Sequence, residues 1–244
     1  MAPLPLLDVS VPALEGGSPG LLGVLCTPEG EGPWPGVVIV HEAYGVNEVM
    51  RRQVQRMAAA GYVVLMPDLF TAGGPRRCLT ATFRSLASGE GRAWADIESA
   101  RRMLAARADC TGAIGVLGFC MGGGFALGAA TRGFDVSSAN YGILPKDLDA
   151  TLAGACPIVG SYGGKDHSLK NAAAKLEASL TRLGVPHDVK EYPNAGHAFL
   201  NDADSGPLVA RLLLTRFLGL GPKPEESRDA WSRIDAFFAE YLRG

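Results

Sequence analysis

The sequence predicts an α/β protein with a mostly parallel central sheet and helices on both faces. Two observations carry this. Short apolar runs alternate with longer helical runs along the chain, the pattern of parallel strands joined by crossover helices. Three of the apolar runs also end in turns that deliver a reactive side chain, as loops at the carboxyl edge of a parallel sheet do.

Residues 21–26 read as an early strand, followed by the turn-rich stretch Thr27-Pro28-Glu29-Gly30-Glu31-Gly32-Pro33. Gly36-Val37-Val38-Ile39-Val40 is a short apolar run suited to a central strand. A helix is predicted near 47–60, with Gly61 as its stop. Tyr62-Val63-Val64-Leu65-Met66 is the next strand, halted by Pro67. Residues 70–90 are rich in Gly, Arg, Ser and Thr and show no clear period. They read as a loop or short helices that shape a pocket. A helix near 92–107 leads to the strand Ala113-Ile114-Gly115-Val116-Leu117. A small-residue helical stretch follows at 123–130. Further strands are expected at 135–140, 155–161 and 186–192, with a helix at 168–183. Residues 201–223, with Leu212-Leu213-Leu214, read as a lid-like or surface insertion. The segment 224–242 starts at Pro224-Glu225-Glu226. It carries an apolar stripe of Ala230, Trp231, Ile234, Phe237, Phe238 and Tyr241, so it is expected to be a helix packed on the sheet. No repeat or linker interrupts this pattern, so residues 1–244 are expected to form one domain.

Composition narrows the classes. The chain is 47% hydrophobic and 20% charged, which excludes a disordered chain. A net charge of −2 leaves no nucleic-acid footprint. The pairs Arg51-Arg52, Arg76-Arg77 and Arg101-Arg102 read as solvated faces. Five cysteines without a C-x-x-C spacing indicate neither a disulfide framework nor a zinc site. Cys26, Cys78, Cys110 and Cys156 therefore read as core or loop thiols. The first residues lack a signal peptide's basic and apolar regions, and no run approaches the length of a membrane span. A cytoplasmic protein is expected, with no metal, no cofactor, no nucleic-acid partner and no membrane. It is expected to be a monomer or a weak homo-oligomer.

Chemistry concentrates in Gly118-Phe119-Cys120-Met121-Gly122. Strand, G-x-nucleophile-x-G and helix is the layout of a nucleophile elbow, with Cys in place of the usual Ser. A helix starting just after Cys120 presents free N–H groups that favour a thiolate and a developing oxyanion. Free cysteines and Gly-rich strand-to-helix turns are common by themselves. Two later turns add weight. Pro157-Ile158-Val159-Gly160-Ser161-Tyr162-Gly163-Gly164-Lys165-Asp166 delivers an acid, and Val189-Lys190-Glu191-Tyr192-Pro193-Asn194-Ala195-Gly196-His197 delivers a base. The order Cys120, Asp166, His197 is the nucleophile, acid, base order of the α/β-hydrolase fold.

From about residue 20 onward the chain resembles the dienelactone hydrolase (carboxymethylenebutenolidase) family of the α/β-hydrolases. The resemblance rests on His41-Glu42-Ala43-Tyr44-Gly45, Pro67-Asp68-Leu69-Phe70, the Cys120 elbow, Tyr141-Gly142, Gly163-Gly164-Lys165-Asp166-His167 and Ala195-Gly196-His197-Ala198-Phe199. It implies hydrolysis of small-molecule esters or lactones through a thioester. Cys120, Asp166 and His197 fall on the triad positions, and Glu42 falls on an active-site glutamate that interacts with the nucleophile and moves when substrate binds. The oxyanion hole is expected to use the backbone N–H groups of Met121 and Ala43. Tyr44, Tyr141 and Phe199 are candidate substrate contacts. The family holds a substrate carboxylate with two arginines. Arg76, Arg77 or Arg84 is a candidate for the first, while Asn201 stands where the second is expected and lacks a guanidinium's charge and paired donors. The same triad supports thioesterase or acyl-transfer chemistry, and the fold also accommodates non-catalytic ligand binding.

Overall fold

A computed structural model describes the chain except residues 1–2, 207, 209–214 and 216. Eight strands make one sheet: β1 (Leu7–Ser10), β2 (Leu22–Cys26), β3 (Trp34–Val40), β4 (Val63–Pro67), β5 (Cys110–Phe119), β6 (Val136–Asn140), β7 (Ile158–Gly163) and β8 (His187–Tyr192). Their order across the sheet is β1-β2-β4-β3-β5-β6-β7-β8. β1 and β2 run antiparallel to their neighbours, while β4, β3, β5, β6, β7 and β8 are mutually parallel. Among the described residues, the helices with defined ends are α1 (Glu48–Ala59), α2 (Pro75–Ser88), α3 (Arg92–Ala105), α4 (Met121–Ala129), α5 (Leu148–Leu152), α6 (Ala172–Leu183) and α7 (Pro224–Arg243).

The apolar run of β3 is continuous because both faces of the sheet are covered. Val37 and Ile39 join a cluster that includes Met50, Val54 and Met57 of α1 and Trp231, Ile234 and Phe238 of α7. Val38 and Val40 point the other way, into a cluster with Trp94, Ile97 and Leu104 of α3 and Phe125 of α4. The stripe expected on the last segment is the buried face of α7, except that Tyr241 is only half-buried.

Some elements differ from expectation. Residues 70–90 contain the fourteen-residue helix α2, closed by Gly89 in the left-handed conformation. Cys78 and Thr82 of α2 are buried, and Leu79, Phe83 and Leu86, at helical spacing on one face, pack against the cluster of α3 and α4. The edge strand β1 is four residues long and mostly exposed, and it leaves no alternation to read. The short helix α5 was likewise not anticipated. β5 extends ten residues, beginning in exposed polar positions before its apolar run. The helix expected from 168 starts at Ala172, after a 3-10 turn at His167–Leu169 and a left-handed Asn171. The Leu212-Leu213-Leu214 part of the expected insertion lies outside the described residues. Among the described residues, no helix is long and apolar enough to cross a membrane.

Candidate active site

The site forms where the parallel strands end. β5 is buried through Phe119, and α4 begins at Met121. Cys120 between them has φ 55° and ψ −117°, a conformation that non-glycine residues rarely adopt and that stores local strain. Its neighbours enforce the bend. A Cβ on Gly118 would fall on the Gly122 carbonyl, and a Cβ on Gly122 would fall on the Val40 carbonyl. Strand and helix can therefore approach this closely only with hydrogen at both positions. The Cys120 N–H donates to the Asn140 carbonyl at 3.1 Å, which ties the elbow to β6.

Asp166 follows β7 and is buried. Its Oδ1 accepts from the Ser168 N–H at 3.0 Å and the Ser168 hydroxyl at 2.6 Å. Its Oδ2 faces His197 Nδ1 at 2.5 Å. That contact leaves His197 Nε2 for Cys120. The His197 N–H donates to the Leu218 carbonyl at 2.7 Å, and Ala198 takes a positive φ of 61°, so the turn after β8 is held from both sides. Burial alone would push the imidazole's pKa down. The Cys120 sulfur and the Asp166 carboxylate outweigh it and lift the ring to about 10.

The loop after β3 supplies the opposite wall. Glu42 is buried, with Oε1 accepting from Asn47 Nδ2 at 3.0 Å and Oε2 from Asn201 Nδ2 at 3.3 Å. The carboxylate makes no hydrogen bond to Cys120. The Glu42 carbonyl is contacted by His41 Nδ1 at 2.8 Å, and His41 Nε2 accepts from the Leu69 N–H at 3.1 Å. That pattern needs the neutral ring that donates from Nδ1. Burial, which lowers the His41 pKa, favours the same form. The Ala43 amide has no hydrogen-bond partner among the described residues. Nor has the Met121 amide, at the first position of α4.

Residues 21–242 match the family model described as the dienelactone hydrolase family. The chain belongs to that family. The carboxymethylenebutenolidase of Rhodococcus opacus is 29% identical over 84% of this chain and 81% of its own. That of Pseudomonas putida is 27% identical over 79% and 86%. A dienelactone hydrolase from Anabaena variabilis shares the fold with a TM-score of 0.70 at 21% identity, covering 98% of this chain and 99% of its own. The fold is that of the α/β-hydrolases, and the protein is an ester or lactone hydrolase of dienelactone hydrolase type.

In this family member, Glu42, Ala43, Tyr44, Cys120, His197 and Asn201 line one cavity of about 180 Å³, closed on its apolar side by Leu218 and Leu220. The other expected substrate contacts fall elsewhere. Tyr141 and Phe199 are fully buried behind the cavity. The Tyr141 ring sits 5.0 Å from the His197 ring and 5.8 Å from that of Phe199, so Tyr141 packs on His197 and Phe199 on Tyr141, neither meeting solvent. Arg76 lines a neighbouring groove of about 750 Å³ that shares Tyr44, Asp204 and Ser205 with the cavity. Arg77 and Arg84 line a different groove, beside Leu69 and Thr82. Sequence reasoning missed Ser168, Asn47 and the structural work of His41. Ser168 and Asn47 each carried a sequence signal: Asp166 with Ser two residues on is a local Asx-turn pattern, and Asn at the start of the helix expected near 47–60 is an N-cap pattern.

Proposed function

We propose that the protein hydrolyses small carboxylic esters or lactones by nucleophilic catalysis at Cys120, with His197 as base and Asp166 as its orienting acid. The observation that carries this is the strained Cys120 beside a His197 ring whose far nitrogen is engaged by a buried carboxylate. His197 takes the thiol proton, and the sulfur attacks the substrate carbonyl to form a C–S bond. The carbonyl electron pair moves to oxygen, where the Ala43 and Met121 amides are available to receive it. On collapse the C–O bond to the leaving alkoxide breaks, and the imidazolium returns its proton to that oxygen. Water then attacks the thioester with His197 as base, releasing the carboxylic acid and the thiol. For a lactone, alcohol and acid remain in one product.

The test is hydrolysis of short p-nitrophenyl esters and of dienelactone by the wild type and Cys120→Ala, with mass spectrometry of the quenched enzyme. Loss of activity in the variant is expected, together with a substrate-derived acyl mass on the Cys120 peptide of the wild type. Equal turnover by both proteins overturns the proposal.

A further inference from the structure

The Cys120 cavity is small. At about 180 Å³ it lies below the range of roughly 300–1,000 Å³ usual for sites that enclose a whole ligand. The groove beside it, of about 750 Å³, lies well inside that range. Tyr44, Asp204 and Ser205 line both, so a single layer of side chains separates the two volumes. Tyr44 is held in that layer from two directions. The turn that presents it is closed by the Gly45 N–H, which donates to the Glu42 carbonyl at 3.0 Å. On its other side the ring lies against the backbone of Gly206, where a Cβ would strike it. Gly206 also has a φ of 84°, so both its conformation and its missing side chain suit the contact. The ring stays 36% exposed and presents an apolar surface where cavity and groove meet. Val49, at the start of α1, and Pro75, at the start of α2, continue that apolar lining along the groove. Glu48, Arg76 and Asp204 line it as well, and all three are exposed. Two carboxylates against one guanidinium give no net attraction for an anionic ligand.

We propose that the groove holds the apolar body of a larger ester while the reacting carbonyl occupies the cavity, and that Tyr44 is the specificity-determining residue at the junction. This rests on the reading of Cys120 as nucleophile. It extends the substrate class from short esters to esters that carry an alkyl chain or ring. Neither Cys120 nor His197 lines the groove, so contacts made there do not change as bonds to the carbonyl form and break. They bind substrate and transition state equally, and the gain from a longer chain falls in KM with kcat nearly constant.

The test is steady-state kinetics with two series of esters. p-Nitrophenyl esters from acetate to octanoate lengthen the acyl side, and acetate esters of straight-chain alcohols from ethanol to octanol lengthen the alcohol side. In at least one series, the wild-type kcat/KM is expected to climb by about two- to fourfold per added methylene, the upper figure corresponding to full burial of a CH₂ group. The climb is expected through KM. Variants are then compared in that series by the ratio of kcat/KM for the longest ester to that for the shortest, in which a general loss of activity cancels. Pro75→Asp puts a charge on the groove at an exposed helical start that accommodates an acid. It is expected to lower the ratio by about tenfold, with a raised KM for the long ester. Tyr44→Ala removes the apolar surface at the junction and is expected to lower the ratio in the same way. Tyr44→Phe keeps the ring and is expected to hold the ratio within about twofold of the wild type. Flat chain-length profiles in both series overturn the proposal. So does a wild-type ratio in Pro75→Asp, a ratio in Tyr44→Ala that stays or rises, or a Tyr44→Phe ratio as low as that of Tyr44→Ala. Failure of the nucleophile itself is distinct, because Cys120→Ala would then keep hydrolysing the acetate ester whatever the chain-length profile.

Discussion

His197 carries opposing influences. Burial disfavours its charge, while the Cys120 sulfur and Asp166 favour it and prevail, raising the ring from 6.5 to about 10. A group whose pKa is raised on folding stabilises the folded state fully below its unfolded value, and that contribution is lost as pH rises through the folded value. His197 therefore stabilises fully below about pH 6.5 and loses its contribution towards pH 10. In urea unfolding, the stability gap between wild type and His197→Gln should be widest near pH 6 and should close by about pH 10. The sulfur is the first of the raising causes, so in Cys120→Ala the ring should titrate below the wild-type value by NMR. A ring that titrates unchanged would mean that Asp166 alone sets its charge.

The turn after β7 explains how Asp166 keeps its aim. Asp166 caps the 3-10 turn His167–Leu169 with Oδ1 while Oδ2 meets His197 Nδ1, so one carboxylate links the turn and the imidazole. Ser168→Ala removes the 2.6 Å hydroxyl bond and leaves the 3.0 Å N–H bond in place. Ser168 is exposed, so the effect should be about 1 kcal/mol, roughly a fivefold fall in kcat/KM with little change in thermal stability. A loss as large as that of Asp166→Ala would show that the hydroxyl, not the backbone, orients the acid.

Stability and chemistry are carried by different parts of the chain. α7 packs on the sheet opposite α3 and α4 and contributes no side chain to the Cys120 cavity. Its Phe238 is fully buried against β5 at Gly115, where a Cβ would lie 2.7 Å from the ring, and it meets Tyr62 edge-on at 6.2 Å. Phe238→Ala should cost about 3–5 kcal/mol by denaturant unfolding, the range for deleting a buried aromatic ring. The kcat of the folded protein should stay close to that of the wild type. A proportionate loss of kcat at temperatures where the variant is fully folded would mean that α7 sets the elbow's geometry.

The sequence alone carried the parallel α/β layout, because strands buried on both faces read as continuous apolar runs whatever packs on them. It also placed Cys120, Asp166 and His197 at strand ends, since an apolar run closed by a Gly-rich turn is a local signal. α2 was hidden because its short apolar stripe of Leu79, Phe83 and Leu86 lies among Gly, Arg, Ser and Thr that read as loop, and β1 because an exposed edge of four residues leaves no alternation. The site's polar contacts were hidden for another reason. Asn201 sits 159 residues from Glu42 and 60 from Tyr141, and its sequence neighbours say nothing of either. Chain position suggested a substrate contact for Asn201, and Tyr141 and Phe199 read as wall residues. Folding turned Tyr141 and Phe199 away from the cavity, behind His197, and kept Asn201 on the cavity wall while engaging its amide with Glu42. Which residue follows which strand is written locally in the chain. Which side chains satisfy a buried carboxylate depends on loops from separate strands arriving at one edge of the sheet, and only the packed molecule brings those loops together.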